Sequence, residues 1–410
     1  MGQVVSEIGD YFNNIAVFAL VMEKSGSGLV VSGVMLARAI PAVAAGPIAG
    51  VLLDRLDRKR IMIASDIIRA VVALAFVLTI HEPRSWLLYV LSAALMFASP
   101  FFTSGRAAIL PTIANAEELH TANSLTQTTS WATLTAGTLL AGFSAARFGY
   151  AWAFILNSLS FVFSAACISR IAVPGGFRVA RKAAAAMVRP WHEYREGLAY
   201  MRSAPLVMGI AMISVGWAMG GGAAQILFAL FGEQVFHRGA AGIGALWGFA
   251  GIGLLAGGAI GHLAGKRAGF GGYKRTVTIS YLAHGAAYML FSQMQSYAAA
   301  LVCMMFSRVG MAVASVLNNT QLLRHTPVDF RGRVFATMES LRWSVMIGSM
   351  AAAGIASQFA SARTIALVAG AFGSLTALAW AWADLTGRLP EPAAADSEEP
   401  AARARPNLEG

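Results

Sequence analysis

Five ionisable side chains, Asp10, Arg38, Arg308, Glu339 and Arg342, sit inside runs of apolar residues. A charge held away from water costs several kcal/mol unless it is paired or hydrated, so each is a candidate for carrying a proton or meeting a ligand. At 1.5 Å rise per helical residue, Asp10 lies about 18 Å from the end of its run at residue 22 and Arg38 about 14 Å from the end of its run at residue 29, ends that fall on the same side of the membrane. They are close enough in depth to pair. Two roles stay open for them: a salt bridge between neighbouring helices, or a proton on Asp10 whose affinity Arg38 tunes. Arg308 lies about 15 Å and Glu339 about 10 Å into their own runs. Arg342 shares a helix face with Glu339 at i, i+3, and Glu339 is placed to neutralise Arg308. Trp131, Trp217, Trp247 and Trp343 suit packing or aromatic stacking, and Asn318 and Asn319 suit hydrogen bonding or helix termination. His262, His284, Asp10 and Glu339 have neither a Ser-His, Cys-His nor a metal-type spacing, and no Walker loop is present. Cys167 and Cys303 fall in apolar runs and suggest core positions. The chain is therefore not expected to be an enzyme, and no cofactor or metal is expected.

The elements that must hold these groups are membrane helices. Of 410 residues, 57% are hydrophobic and 12% charged, with a mean hydropathy of +0.61. A soluble domain carries about a quarter charged residues, so this chain cannot cover a water-exposed surface of its size. A span needs about 20 apolar residues. That window gives spans at 1–22, 29–53, 61–80, 86–106, 122–146 and 148–170, then at 205–231, 240–264, 275–292, 297–318, 333–359 and 361–385. Two six-span units, 1–172 and 204–386, flank a hydrophilic centre at 173–203, and a Pro-, Ala- and Glu-rich tail at 387–410 is expected to be disordered. If the first span runs outward, inner loops and tail hold 22 Lys and Arg and outer loops hold 5. This asymmetry puts both termini and the central segment in the cytoplasm. The net charge of +11 is thus a topology signal, and no nucleic-acid partner is implied. The segments Gly50–Arg55 and Gly261–Lys266, like Gly137 and Gly348, are related by a constant offset of 211 residues. Such duplication places a ligand path between the units near the bilayer midplane. In the centre, Trp191, Tyr194, Leu198 and Met201 form one face of a helix expected to lie on the membrane surface.

One loop breaks the apolar pattern: Gly46 to Arg60, "GPIAGVLLDRLDRKR", ends in six charges over seven positions. Gly50 would let helices approach closely, and Asp54 could then meet the amino end of a helix from the other unit, where backbone charge favours a carboxylate. Arg55, Arg58 and Lys59 can pair with Asp54, Asp66 or Glu339 and shut the inner side. A plain basic loop that fixes topology is the alternative, although an aspartate adds nothing to that signal. The stretch Gly50-x-Leu52-x-Asp54-Arg55-x-x-Arg58-Lys59 resembles the signature loop between the second and third helices of the major facilitator superfamily. "DRLDRKR", the "ASDIIRA" holding Asp66 and Arg69, the "LHTANSL" at Leu119 to Leu125 and the Gly9-Asp10 pair are similar to the exporter branch containing the enterobactin exporter and macrolide-efflux-like proteins.

The resemblance implies an all-α membrane protein of twelve transmembrane helices in two pseudo-symmetric six-helix bundles. It also implies a cytoplasmic gate built from Gly50, Asp54, Arg55, Arg58, Lys59, Asp66 and Arg69, with the eleventh helix near Arg331-Gly332-Arg333 as its partner. Arg308, on a cavity-lining tenth helix, would face an anionic or polar-aromatic substrate. The implied activity is efflux of a small amphipathic molecule (siderophore, macrolide-like drug or secondary metabolite) by proton antiport, from a monomer in the inner membrane. A lysophospholipid or nutrient carrier and a non-transporting sensor or scaffold are the alternatives. Two departures from the antiporter pattern stand out: Thr138 replaces a helix-five proline, and the mid-helix-four arginine is missing, with Arg106 only at its end.

Overall fold

A computed structural model describes residues 2–82, 84–113, 116–170 and 190–392. The expected linker before residue 190 and the tail after residue 392 lie outside the described residues. Among those described, thirteen α-helices run in order: α1 (Gly2–Ser25), α2 (Gly28–Arg55), α3 (Arg58–Ala75), α4 (Trp86–Ile113), α5 (Ala116–Phe148), α6 (Tyr150–Ser169), α7 (Pro190–Ser203), α8 (Pro205–Leu230), α9 (Gly239–Arg267), α10 (Phe270–Gln293), α11 (Tyr297–His325), α12 (Val328–Ala356) and α13 (Ala362–Leu385). Nine helical segments are long and apolar enough to cross a membrane. The three other long helices, α5, α10 and α12, fall short because they spend a face on polar groups. In α10 these are Ser280, Tyr281, His284 and Tyr288, and in α12 Glu339 and Arg342. Large apolar side chains such as Val71, Leu78, Phe143, Ile279 and Leu375 are more than half exposed. Water would tolerate no belt of that kind, whereas hydrocarbon requires one.

The duplication offset recurs in the helix starts: α2 and α9 begin at residues 28 and 239, and α4 and α11 at 86 and 297. Burial along α1 and α8 then defines the shape. Ala16 to Met22 of α1 and Ile226 to Leu230 of α8 are buried, whereas Gly2 to Tyr11 of α1 are mostly half-exposed. A helix apolar on every side and fully covered must be ringed by others. The two halves therefore meet tightly at the end holding Ser25, Gly149 and Arg238, and part at the opposite, basic end that holds Arg58 and Lys266.

Glycine makes the tight end possible. A Cβ at Gly142 would stand 2.8 Å from the Ala240 carbonyl oxygen, and one at Gly244 would stand 2.5 Å from that of Thr138. Helices α5 and α9 thus touch backbone to backbone, as small residues permit in a bilayer. Nearby, Ser32 of α2 donates a 2.8 Å hydrogen bond to the Met350 carbonyl of α12. Gly244→Ala is expected to wedge this seal open at a cost of about 1–3 kcal/mol to the observed state. Spin labels at Arg147 and His237 should read a longer mean distance in that variant, and an unchanged distance would show that the seal does not depend on this contact.

At the basic end, Asp57 immediately precedes α3. Its side chain caps α3 by accepting from the Arg60 backbone N–H at 3.2 Å, which explains why an N-capping residue type serves there. Helix α7 packs on protein through Gly197, Tyr200 and Met201, of which only Met201 belongs to the face expected. Gly197 and Met201 are buried against α12 and α8, Tyr200 stacks on Phe330 at 4.9 Å, and Arg333 pairs with Glu196 at 3.2 Å. Trp191, expected on the apolar face, is largely exposed.

Candidate functional site

Two polar constellations stand out in the interior. The first grows from α1, where Gln3, Glu7, Asp10 and Asn13 follow one another at spacings of four, three and three and so share a face. Asp10 Oδ2 accepts from Arg69 Nη2 at 3.1 Å, and Asp66 Oδ1 accepts from Arg69 Nη1 at 3.1 Å. Asp66 and Arg69 are buried, and Asp10 is half-buried. The guanidinium also sits 3.9 Å from the Phe161 ring centre and 5.3 Å from that of Phe102, where aromatic faces attract a cation. One cation thus serves two carboxylates, and Asp10 Oδ1 and Asp66 Oδ2 are buried without a hydrogen-bond partner. Further toward the basic end, Glu7 accepts from Thr133 Oγ1 at 2.8 Å, Gln3 Nε2 at 2.7 Å and Arg106 Nη1 at 3.4 Å.

These contacts correct the sequence-based expectations. The ion pair of Asp10 is with Arg69, which α3 brings to the α1 stripe, while Arg38 donates to Asn13 Oδ1 at 3.4 Å and stays near enough for its charge to act on Asp10. Asp66 and Arg69, grouped with the gate, belong instead to this interior triad. Of the remaining gate residues, Arg58 Nε donates to the Leu53 carbonyl at 3.4 Å, Lys59 Nζ donates to that of Ser169 at 2.7 Å, and Arg55 is exposed. The Asp54 side chain lies outside the described residues. Gly50 faces open space, so it makes no close helix approach in this conformation. The amino end of α12 is engaged by α7 instead, through Arg333 and Glu196.

The second constellation surrounds a cavity of about 330 Å³ between α5, α8, α10, α11 and α12. Trp131, Ser214, Tyr281, Asn318, Glu339 and Arg342 contribute to its wall. Arg342 and Glu339 pair with each other, and Trp343 Nε1 donates to Glu339 Oε1 at 2.8 Å. Glu339 is therefore committed to its own helix and does not neutralise Arg308, which meets no carboxylate among the described residues. Arg308 lies instead 5.6 Å from the Phe228 ring centre and 5.9 Å from that of Tyr288. Asn318 Oδ1 is taken by the Tyr273 hydroxyl at 2.9 Å, and Trp247 packs edge-on to Phe228. A larger cleft of about 450 Å³ between α8, α12 and α13 has no charged residue on its wall and offers only apolar contact. Glu7, Thr133, Ser214 and Tyr281 escaped the sequence reading. The three- and four-residue spacing along α1 is the signal that would have found Glu7.

A cavity between two bundles, sealed at one end by small residues, now has a family to match. The family model of the Major Facilitator Superfamily matches residues 1–347. The chain belongs to this superfamily. It is accordingly a membrane transporter and not an enzyme. The uncharacterized MFS-type transporter YfiS of Bacillus subtilis is 28% identical over 388 residues, covering 90% of this chain and 88% of that protein. The putative bacilysin exporter BacE of Bacillus amyloliquefaciens is 26% identical across 90% of this chain and 91% of its own. Macrolide efflux protein A of Streptococcus pyogenes is 35% identical over 122 residues, 29% of this chain and 30% of that one. Among solved structures, a bacterial homologue of the iron transporter ferroportin in its inward-facing state superposes with a TM-score of 0.67. It shares 17% identity, with 92% of this chain and 96% of the other covered. This superfamily fold places the Asp10 triad in the first bundle and the Arg308 and Glu339 groups in the second.

Proposed function

We propose that this superfamily member exports a small amphipathic molecule from the cytoplasm in exchange for protons, by alternating access. The observation that carries the coupling is the triad of Asp10, Arg69 and Asp66: two carboxylates, one cation, and two buried oxygens without partners. A single proton neutralises that cluster, and a buried charge imbalance is costly enough to make its protonation bias the conformation. The basic end is cytoplasmic by its Lys and Arg content, so the observed conformation is open inward. Cargo enters the cavity of about 330 Å³ from that side. The two bundles then rock about the midplane, with the seal at Gly142 and Gly244 parting and the loop at Gly50 to Lys59 closing against the second bundle. The efflux function named for relatives such as the putative bacilysin exporter supports the outward direction.

The test is flux into proteoliposomes with an acidic lumen and neutral exterior, with a labelled macrolide, a catecholate and a naphthalene carboxylate supplied in turn from outside. Accumulation above protein-free liposomes, collapsing when a protonophore is added, is the expected result. Flux indifferent to the protonophore would remove the proton from the scheme. Absence of flux with all three would remove this class of cargo.

A further inference from the structure

We propose that the pocket around Arg308 is a receptor for a carboxylate carried by the transported molecule. This deepens the export reading and rests on the central cavity being the cargo path. Arg308 is 7% exposed and its guanidinium has five N–H donors. What surrounds it accepts poorly: the Met311 sulfur at 3.4 Å and the faces of Phe228 and Tyr288. Elsewhere in the interior, Arg342 has Glu339, Arg106 has Glu7 and Arg69 has two carboxylates. Arg38 has no ion pair but donates to Asn13 Oδ1 at 3.4 Å, whereas Arg308 has no oxygen acceptor among the described residues, and a buried cation favours the arrival of an anion.

Two more donors belong to residues that line the same pocket. The Trp217 indole N–H and the Tyr288 hydroxyl are buried without a hydrogen-bond partner, and both residues line it together with Arg308 and His284. The Nδ1 of His284 stands 2.9 Å from the Ser307 carbonyl oxygen, which leaves that side of the ring occupied. Buried polar groups are nearly always satisfied, and a carboxylate oxygen seated here accepts from the guanidinium and has lone-pair capacity left for the indole or the phenol.

Size selects what carries the carboxylate. The pocket holds about 10 Å³, room for about one water-sized group, and glycines Gly220, Gly221 and Gly373 form part of its wall. It admits one carboxylate oxygen and leaves the second oxygen and the body of the ligand at its mouth. The body has a place next door. Ser214 and Trp217 of α8, and Tyr281 and His284 of α10, lie one turn apart, and the first of each pair faces the larger cavity while the second faces the pocket. The Arg342 guanidinium, 6.0 Å from the Trp217 ring centre, marks the same boundary from the other side.

Calorimetric titration of the purified full-length protein in detergent tests this without any gradient. The probes are 1-naphthaleneacetate, its neutral isostere 1-naphthaleneacetamide, and acetate. The wild type should bind the acid tenfold or more tighter than the amide, about the value of hydrogen bonds to a charged group. Arg308→Gln should erase that preference, bringing the acid's affinity down to that of the amide or below. Tyr288→Phe, which removes one hydroxyl and keeps the ring, should reduce the preference several-fold. Acid and amide binding alike, including neither binding, would overturn the proposal, as would a preference that survives Arg308→Gln. Acetate binding as tightly as naphthaleneacetate would assign the site to free small anions and overturn the cargo assignment. A protein that keeps the acid preference but shows no proton-dependent flux would sink the antiport reading and leave this one standing.

Discussion

Asp10→Asn is expected to abolish accumulation driven by a pH gradient while leaving exchange of labelled for unlabelled cargo intact. Asparagine is nearly isosteric with the protonated acid, so the variant holds Arg69 in a one-to-one pair with Asp66, permanently in the neutral state of the triad. Exchange requires only that the loaded cavity alternate between sides. Accumulation requires a proton to return in each cycle. For one proton per cargo, a gradient of about two pH units stores about 2.7 kcal/mol, equivalent to about a hundredfold concentration ratio. The wild type should approach that ratio in proteoliposomes and the variant should stay near unity. The sign follows from the direction of exchange: an acidic lumen drives protons out and cargo in, and reversing the gradient should empty the vesicles. Retained accumulation in the variant would move the coupling site away from Asp10, with Asp66 or Glu7 next to be tried.

Arg69→Met should have the second large effect, on stability. It removes the cation shared by Asp10 and Asp66 and leaves two carboxylates close together in a low-dielectric interior. Removing one partner of a buried pair costs about 3–5 kcal/mol. The loss of the stack on Phe161 and Phe102 adds about 0.5–2 kcal/mol. The thermal unfolding midpoint of the detergent-solubilised protein should fall steeply. Adding Asp10→Asn and Asp66→Asn to the same chain should recover much of the loss, because the neutral triple variant has no unpaired charge to bury. If the triple variant is no better than Arg69→Met alone, the damage comes from lost packing rather than from charge.

How much was legible beforehand depends on whether a feature is carried by neighbours in sequence or by partners in space. The pairing of Glu339 with Arg342 could be expected because three residues along one helix bring side chains together whatever surrounds them. The duplication could be read because helix lengths and loop lengths preserve an offset. Asp57 could have been recognised as a helix cap from its residue type and place alone. The choice between Arg38 and Arg69 as the partner of Asp10 had no such signal. Depth along a span was all that sequence offered, and depth does not say which way a helix is rotated. The orientation of α3 against α1 and α6 decides it, through Phe161 and the α1 stripe.

By itself, then, the amino-acid order determined that this chain lives in a bilayer, which of its ends is rich in positive charge, that its two halves repeat, and which few ionisable groups had to be explained. Those are consequences of transfer free energy and of helical period, both local properties of the chain. Only the tertiary structure decided that the halves meet at the end marked by Gly142 and Gly244 and part at the other, that Arg69 serves two carboxylates, and that Arg308 serves none. Rotations and separations of packed helices set those outcomes, and a difference of one residue in how two helices face each other changes which charges meet.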